Sequence, residues 1–527
     1  MKNKKNIILI AFFIIITVIF FTYQVVITYD SSHYLWLTSL LTPNGDFSTW
    51  DVARGPIFPM FIRVCNMLFG QNSNGLLIGM FAFYLLMIFG SYLMYKDTIK
   101  DEECLSKKMK FILGILFILL VVINPMIIGY YHTLLTEFIA MTFAVIGCYL
   151  AWKWINTDFF ENKIKYVIYT ISLAILIAIA WQLKQPYVGT ILFPVVIAAI
   201  LSFIRKTNLK NFIQRLVTLI VCGIVLISSL KIWDVALEKN NVQINKNRTS
   251  AGFFASGILG GLKEYDVQNM ENFDTIQKIE KNEKISDEDK TSIKEILENK
   301  SEYKSFIVID TKKENYQVIY TKDTVISTGE AIKFWISSFG NEPLLIINNY
   351  VTNYLATTSI YNIEFIGDKL IIDKELNFKS TVEIEAIGFK IYGYANECVF
   401  YLSEDLAPYA TEYRTINKPL VAVNWAMRQM QLPNVIIMKI SYLILPLLAI
   451  ISIISVFITR KKYDEKYTKL IDLITILYNF SFLHILMHAL LGATIDRYTM
   501  PALITTMIAI LLTIYAIVYR KKYKITK

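Results

Sequence analysis

The densest group of ionisable residues in this chain lies in residues 26–61, VITYDSSHYLWLTSLLTPNGDFSTWDVARGPIFPMF. The side chains in it that we consider for chemistry are Asp30, His33, Tyr34, Asp46, Asp51 and Arg54. A carboxylate can take the proton of a hydroxyl group as the hydroxyl oxygen attacks another atom. An arginine can bind a phosphate group through two parallel hydrogen bonds. The stretch therefore carries residue types suited to moving a group from a phosphate-bearing donor to a hydroxyl acceptor.

Three later segments between apolar runs add further charged and aromatic groups. YYHTLLTEF contains His132 and Glu137, WQLKQPYV contains Lys184, and HALLGATIDRYTMP contains Arg497 and Tyr498. Charged groups at membrane depth are costly unless they pair or face water, so they mark a candidate site. The alternative for the lysine and the arginine is that each reaches the lipid headgroups with its aliphatic stem in the apolar layer.

Long apolar runs dominate the rest of the chain, in which 55% of the residues are hydrophobic. A helix of about 20 apolar residues crosses the hydrocarbon core of a bilayer, and spanning segments must satisfy their backbone groups internally. The sequence therefore predicts an α-helical polytopic membrane protein with about ten transmembrane helices. We place these at 6–28, 75–95, 111–130, 137–155, 165–181, 187–204, 215–236, 434–458, 469–491 and 499–519.

The distribution of basic residues predicts the orientation of these helices. One set of connecting segments is rich in Lys and Arg, including RKTNLKNFIQR and the C-terminal RKKYKITK, whereas the short loops on the other side hold only Arg54, Arg63, Lys184 and Arg497. Cytoplasmic loops carry the excess of positive charge, so we expect both termini in the cytoplasm and the four candidate loops on the outer face of the cell membrane. The net charge of +10 then reflects the cytoplasmic rim rather than binding to nucleic acid.

Between residues 237 and 433 no run is long and apolar enough to span a membrane. SFIVID, YQVIYT and KLIID resemble strands, AIKFWISSFGNEPLLIINNYVTNY is typical of two helices joined by a turn, and RTINKPLVAVNWAMRQMQLP resembles an amphipathic helix lying on the membrane. We predict an N-terminal membrane domain at 1–236 with a catalytic first outer loop at 29–74, an inserted mixed α/β extracytoplasmic domain at 237–433, and helices at 434–527 that complete the bundle.

Four motifs resemble those of a known group of enzymes. Asp30-Ser-Ser-His-Tyr34, followed by Arg54-Gly-Pro-Ile-Phe-Pro59 and then Leu-Phe-Gly, resembles the Asp-x-x-x-Tyr and Arg-x-Pro-x-x-Pro run of polyprenyl-phosphate-dependent glycosyltransferases of the GT-C superfamily. The branch in question is the bacterial one related to aminoarabinose transferases and protein O-mannosyltransferases. NPMIIGYYHTLLTEFIAM is similar to their turn ending in an acid, DRYTMPAL is similar to their late Arg-Tyr-x-x-Pro, and LKQPY has Lys184-Gln-Pro where Arg-Pro is usual. The resemblance covers about 1–235 and 434–527 and implies a GT-C-like bundle.

The resemblance also implies a function and a set of roles. The enzyme would transfer a sugar, with inversion, from a polyprenyl-phosphate-linked donor to a glycan, lipid or protein acceptor of the cell envelope. Asp30 would be the general base, and Glu137 a second acid that orients substrate or, with Asp30, binds a divalent metal such as Mg or Mn. The departing lipid phosphate would be held by Lys184 and Arg497, joined by Arg54 unless that residue pairs with Asp30 or Asp51. The remaining candidates for substrate contacts are Tyr34, His33, His132 and Tyr498.

Several alternatives stay open at the level of sequence. Asp46 or Asp51 could replace Asp30 as the base, and Asp30 could instead cap a helix that begins at Ser31 or Ser32. His484 and His488 lie four residues apart and could bind zinc, but they lack the intervening catalytic Glu of a metalloprotease. We interpret Ile485-Leu486-Met487 between them as lipid or core packing. The competing functions are a flippase or transporter for a lipid-linked sugar, which predicts ionisable residues at mid-membrane depth, and a polysaccharide polymerase or ligase.

Overall fold

A computed structural model of the chain describes the bundle and parts of the inserted segment. The described residues are 2–23, 25–43, 45–51, 54–100, 106–205, 209–240, 263–266, 287, 291, 303–310, 316–322, 343–358, 361–366, 369–376, 421–490 and 496–520.

Most of the described residues form α-helices. In chain order these are α1 (Lys2–Phe21), α2 (Tyr29–Leu40), α3 (Ile57–Phe69), α4 (Ser73–Tyr95), α5 (Lys107–Phe117), α6 (Pro125–His132), α7 (Glu137–Ile155), α8 (Lys163–Leu183), α9 (Gly189–Ile204), α10 (Leu209–Lys239), α11 (Pro343–Thr358), α12 (Val421–Lys462), α13 (Glu465–Leu490) and α14 (Met500–Tyr519). Short 3-10 turns at Phe47–Thr49, Gln185–Val188 and Asp496–Thr499 lie in loops predicted to carry the site.

Nine helical segments of the described chain are long and apolar enough to cross a membrane, which makes this a multi-pass membrane protein. They are Ser73–Ile99, Lys107–His132, Glu137–Ile155, Lys163–Leu183, Gln185–Ile204, Leu209–Lys239, Pro433–Arg460, Glu465–Leu490 and Met500–Val518. These segments coincide with the last nine predicted spans. The first predicted span corresponds to α1, which ends at Phe21 rather than at residue 28, and whose apolar part Ile10–Phe21 is shorter than the others.

The centre of the bundle is built from α7, α13 and α14, whose side chains are mostly buried, while α8 and α10 lie at its edge and expose most of theirs. Polar residues set where the buried helices begin. Asn124 caps α6 by accepting a hydrogen bond from the backbone N–H of Met126, and Pro125 occupies the first helical position, where no N–H is needed. The second long span is therefore interrupted at Asn124, and α6 leads from there to the turn before Glu137.

The inserted segment contains five described strands and one helix. β1 (Lys263–Asp266), β2 (Tyr303–Asp310) and β3 (Tyr316–Lys322) form an antiparallel sheet in that order, and β4 (Tyr361–Ile366) pairs with β5 (Lys369–Leu376). The three strand-like runs identified in the sequence fall in β2, β3 and β5. The predicted helix–turn–helix is confirmed in its second half by α11, and its first half lies outside the described residues.

Helix α11 contacts the membrane bundle directly. The Tyr354 hydroxyl donates to the backbone carbonyl of Tyr442 (2.8 Å), and the Asn353 amide donates to that of Ala489 (3.2 Å). The buried ammonium group of Lys439 donates to the carbonyl of Thr357 in the last turn of α11 (2.8 Å). A cation at this end of a helix also interacts favourably with the helix dipole.

The segment before the eighth predicted span differs from expectation. Residues from Val421 onward do not form a separate amphipathic helix, because α12 runs without interruption from Val421 to Lys462 and includes Pro433. The residues before Val421 in the proposed amphipathic helix lie outside the described part of the chain.

Candidate functional site

Helix α2 begins one residue before Asp30, and its cap is Thr28. The Thr28 hydroxyl accepts from the backbone N–H of Ser31 (3.4 Å), while the Ser31 hydroxyl accepts from the N–H of Thr28 (2.9 Å). This reciprocal pair satisfies backbone donors at the helix start. The alternative in which Asp30 caps a helix beginning at Ser31 or Ser32 is therefore wrong, and the carboxylate is available for other contacts.

A short backbone tether joins the segment before α2 to the turn between α6 and α7. The N–H of Val26 donates to the carbonyl of His132 (2.7 Å), and the N–H of Leu134 donates to the carbonyl of Val26 (2.9 Å). The Ser31 hydroxyl adds a bond to the carbonyl of Leu134 (2.7 Å). These bonds fix the start of α2, and so Asp30, beside the turn that ends at Glu137.

Arg54 contacts three polar side chains of the first outer loop. Its guanidinium donates to the Asp30 carboxylate (3.1 Å) and to the Tyr34 hydroxyl (3.1 Å), and its Nε lies 3.9 Å from the Asp51 carboxylate. Asp51 also lies 3.0 Å from Nε2 of His33. Arg54 therefore pairs with Asp30 and with Asp51, the two acids predicted as its alternative partners.

The Tyr34 ring and the Arg54 guanidinium shift each other's pKa. Burial raises the pKa of Tyr34, with Glu137 and Asp30 adding to the effect and Arg54 and Lys184 opposing it. Burial lowers the pKa of Arg54, but the nearby Tyr34, Asp30 and Asp51 outweigh burial, so that the pKa ends above its ordinary value. Arg54 therefore stays charged and Tyr34 stays neutral at physiological pH.

The backbone at Gly55 packs directly against the end of α8. A Cβ atom added at Gly55 would lie 1.8 Å from the carbonyl oxygen of Gln182, a separation that no side chain tolerates. The Gly in the Arg-Gly-Pro motif is therefore required by close approach of two backbones. Pro56 precedes α3, and the contact places Arg54 near Lys184, which follows α8 by one residue.

A second group of polar side chains surrounds Lys184. Its ammonium lies 3.8 Å from a carboxylate oxygen of Glu137, and the other oxygen of Glu137 accepts from the Thr136 hydroxyl (3.3 Å). The same ammonium faces the rings of Tyr498 and Tyr187, at 4.5 and 5.7 Å from their centroids. Glu137 is buried, with 1% of its side chain exposed, whereas Lys184 keeps 17% and can be reached from outside.

These two groups form one site. Tyr34 interacts electrostatically with Arg54 and Asp30 from the first group and with Lys184 and Glu137 from the second. Two carboxylates and two cations, contributed by two separate stretches of the sequence, therefore lie close enough to one tyrosine to act on it electrostatically. We call Asp30, Tyr34, Arg54, Glu137 and Lys184 the charged cluster.

Two histidines that were not among the predicted site residues, His484 and His488, contact Tyr498 beside this site. Nε2 of His484 lies 3.0 Å from the backbone carbonyl of Tyr498, and the His488 ring stacks on the Tyr498 ring with centroids 5.3 Å apart and an angle of 7°. Tyr498 in turn faces Lys184. The signal in the sequence was the spacing of four, which places both rings on the same face of α13 shortly before the Asp-Arg-Tyr run.

Three candidates do not join the charged cluster by any described contact. His132 is fully buried with ring nitrogens 2.7 and 2.8 Å from the carbonyls of Ile128 and Phe20, so the prediction of a sugar contact is replaced by a packing role between α1 and α6. Asp46 is exposed and accepts from Ser48 as the cap of a 3-10 turn. Arg497 lies in the 3-10 turn Asp496–Thr499, but its side chain falls outside the described residues.

The charged cluster does not fit a divalent metal. Among the described residues no three His, Cys, Asp or Glu side chains lie close enough together to bind one. Asp30 already pairs with Arg54, and Glu137 lies beside the ammonium of Lys184. Mg²⁺ and Mn²⁺ prefer oxygen ligands, and a cation next to each carboxylate repels them. We therefore derive no step through a metal.

Comparisons with known protein families, with characterised proteins and with solved structures found no match for this chain. The motifs quoted above and the arrangement of the charged cluster are thus the grounds on which a function can be assigned.

Proposed function

We propose that this protein is an integral-membrane glycosyltransferase that moves a sugar from a polyprenyl-phosphate-linked donor to a cell-envelope acceptor at the outer face of the membrane. The observation that carries the proposal is the charged cluster, in which an accessible carboxylate and two cations lie together at one end of the helix bundle. A base and a binding site for an anionic leaving group are what this reaction requires. The motif resemblance supports the same reaction.

In the proposed reaction Asp30 accepts a proton. An acceptor hydroxyl attacks the anomeric carbon of the sugar, its O–H proton passes to the Asp30 carboxylate, and the bond between that carbon and the phosphate oxygen breaks. Attack opposite the leaving group inverts the anomeric configuration. Asp30 keeps 18% of its side chain exposed, so an acceptor can reach it, and Arg54 holds the carboxylate in place.

The departing polyprenyl phosphate carries away the electron pair of the broken bond. The ammonium of Lys184 neutralises the growing charge, since it is accessible and fixed between two tyrosine rings. Arg497 is the second proposed phosphate ligand, by resemblance. Buried Glu137 acts through Lys184 as a positioning residue rather than by contacting the sugar. His33 and Tyr498 complete the proposed substrate contacts.

Asp51 is the second candidate for the base, because it shares Arg54 with Asp30 and lies 3.0 Å from His33. Asp46 is a weaker candidate, since it is engaged with Ser48 in the loop. In this proposal the inserted domain at 237–433 is mixed α/β, lies outside the cell and shapes the acceptor site, with both chain termini in the cytoplasm.

Charged side chains within the described spans favour an enzyme over a transporter. Lys439 donates to the end of α11, and Asp472 forms an ion pair with Arg205. Both contacts join neighbouring elements near helix ends, and Lys231 likewise lies towards the end of α10. A flippase is expected to need such groups at mid-depth.

The test uses a strain lacking this protein and complemented with single variants. Lipid extracts and envelope glycans are compared by mass spectrometry, with the inserted protein quantified. We expect the deletion to accumulate a polyprenyl-phosphate sugar and to lose one glycan modification. Asp30→Asn should fail to restore either, since loss of a general base costs about 100-fold or more in rate.

Asp46→Asn is the matched control, because it removes the same charge from the same loop at an exposed position. It should restore the wild-type pattern. Restoration by both variants would overturn the role of Asp30, and failure of Asp51→Asn alone would move the base to Asp51. An unchanged lipid pool and glycan profile in the deletion strain would overturn the glycosyltransferase itself.

A further inference from the structure

A cluster of three aromatic rings joins the first outer loop to helix α10. Trp50 stacks on Phe47 with ring centroids 5.0 Å apart and an interplanar angle of 25°. Trp233 of α10 meets both rings edge-on, with its centroid 5.4 Å from that of Trp50 and 5.9 Å from that of Phe47. Aromatic pairs at such distances and angles attract each other beyond the effect of the area they bury. We call these three residues the aromatic cluster.

The aromatic cluster holds the backbone that carries Arg54. Trp50 is buried, and its indole N–H donates to the backbone carbonyl of Arg54 (3.0 Å). The backbone N–H of Arg54 donates in turn to the carbonyl of Asp51 (3.0 Å). From this backbone the Arg54 guanidinium reaches the carboxylate of Asp30. The position of the Trp50 ring therefore fixes the point from which the charged cluster receives its arginine.

Helix α10 contacts the other half of the site as well. The side-chain amide of Gln182 donates to the carbonyl of Ser229 (3.0 Å), and Ser229 lies one helical turn before Trp233. Gln182 comes two residues before Lys184, and its own carbonyl is the one against which Gly55 packs. One turn of α10 is therefore in contact with the first outer loop and with the segment that leads to Lys184.

Trp233 differs from the lipid-facing residues of α10. Its neighbour Ile232 has 70% of its surface exposed, whereas Trp233 is half-buried and packs against the core of the bundle. A tryptophan that only anchors a helix in the headgroup layer needs no partner on another segment. The contacts with Phe47 and Trp50 therefore indicate a ring that holds the loop.

We propose that Trp233 is a positioning residue for the glycosyl transfer. Through the aromatic cluster it holds the first outer loop, so that Arg54 and Asp30 keep a fixed distance from Lys184. This role rests on the proposed function, because the reaction needs the base and the phosphate ligand at a defined separation. The two aromatic pairs that Trp233 forms favour the attached loop over a detached one by about ten-fold.

The first test is hydrogen exchange, measured by mass spectrometry on the purified full-length protein without added ligand. In Trp233→Ala the backbone of residues 47–54 should exchange about ten-fold faster than in the wild type. The N–H groups of Trp50 and Arg54 donate to carbonyls within the loop (3.2 and 3.0 Å), and these bonds open when the loop detaches. Trp233→Phe keeps an aromatic ring and should exchange as the wild type does. The control Trp425→Ala removes the same side chain at an exposed position of α12 and should leave the loop unchanged.

The second test compares the same variants in the deletion strain, with activity expressed per inserted protein. Trp233→Ala should lower activity by about ten-fold or more, because a small displacement of a reacting group lowers the rate. Trp233→Phe and Trp425→Ala should restore the wild-type pattern of lipids and glycans. A role in folding alone would lower the amount of inserted protein and leave the activity of each molecule unchanged.

Equal exchange of the loop in Trp233→Ala and Trp425→Ala overturns this role. Full activity of Trp233→Ala, in a strain that Asp30→Asn fails to restore, overturns it as well. If the deletion leaves the lipid pool and the glycan profile unchanged, the proposed function fails instead, and hydrogen exchange alone decides whether Trp233 holds the loop.

A second variant serves if Trp233→Ala does not insert into the membrane. Trp50→Phe keeps a ring in the aromatic cluster but loses the bond to the Arg54 carbonyl. The loop should then exchange about five-fold faster than in the wild type, which corresponds to the loss of one hydrogen bond. Exchange equal to that of the wild type overturns the role of the aromatic cluster in holding Arg54.

Discussion

Replacing Gly55 with alanine should separate the two halves of the charged cluster without touching any ionisable group. The added methyl carbon would lie 1.8 Å from the carbonyl oxygen of Gln182, whereas real Cβ contacts stay above 3.0 Å. The first outer loop and the end of α8 must therefore move apart by about 1 Å or more, because both contacting atoms belong to rigid backbone or its immediate substituent.

The expected cost follows from the displacement of one group of the charged cluster relative to the other. Asp30 and Arg54 lie in the first outer loop and Lys184 follows α8, so the proposed base and the proposed phosphate ligand move apart by about 1 Å while the hydrogen bonds within the loop are kept. Overpacking of this kind destabilises by about 1–3 kcal/mol. A misplacement of about 1 Å in a reacting site can lower the rate about 100-fold. We expect Gly55→Ala to insert into the membrane, to unfold at a lower temperature and to lose most activity.

The assay expresses each variant in the deletion strain. It measures the amount of polyprenyl-phosphate sugar that remains, divided by the amount of protein inserted into the membrane. Gly223→Ala is the control, because an added Cβ there meets nothing within 4 Å and the residue lies inside helix α10. It should behave as wild type, with equal or slightly higher stability. If Gly55→Ala matches this control in both activity and unfolding temperature, the close approach of the two backbones does not set the site.

Three further outcomes follow from the same geometry. Lys184→Gln should lower activity by about 100-fold or more, because a preorganised charge at the leaving group is lost. Lys163→Gln, at an exposed position, is the control and should leave activity unchanged. Equal activity of the two variants would show that Lys184 is not a phosphate ligand. His132→Ala should destabilise the protein by about 1–3 kcal/mol, because two contacts with backbone carbonyls are lost. The unfolding temperature measures this effect, and activity per folded molecule should be retained. A loss of activity without a loss of stability would instead indicate that His132 contacts the substrate. Treatment of membranes with EDTA should leave activity unchanged, because Asp30 and Glu137 each lie beside a cation; loss of activity with recovery on adding Mg²⁺ or Mn²⁺ would contradict this.

The spans were predictable because a bilayer imposes length and apolarity on each helix, as the agreement at Glu137–Ile155 shows. The short helix α3 within the first outer loop has a local cause as well, since prolines favour the first turn of a helix, and Pro56 and Pro59 lie at its start. These features depend on the local sequence and on the surrounding lipid or water, so the residue types of each segment are enough to predict them.

The contacts that assemble the site could not be predicted in the same way. The Arg-Gly-Pro motif does not predict that Gly55 packs on Gln182, because that contact joins residues more than 100 positions apart in sequence. The burial of His132 could not be predicted either. The sequence places it in a turn near the surface, but in the structure its ring packs against the rings of Phe20 and Tyr23, far away in sequence. Long-range packing decided which candidate residues face solvent.

The bond from Lys439 to the end of α11 limits how this protein can be dissected. Excising the inserted segment to obtain a minimal transmembrane protein would remove the Thr357 carbonyl that receives a buried ammonium group. A truncated version would consequently take a hydrogen-bond acceptor away from a buried ammonium group. Any attempt to produce the two parts separately should retain 343–358 with the bundle or exchange Lys439 for methionine.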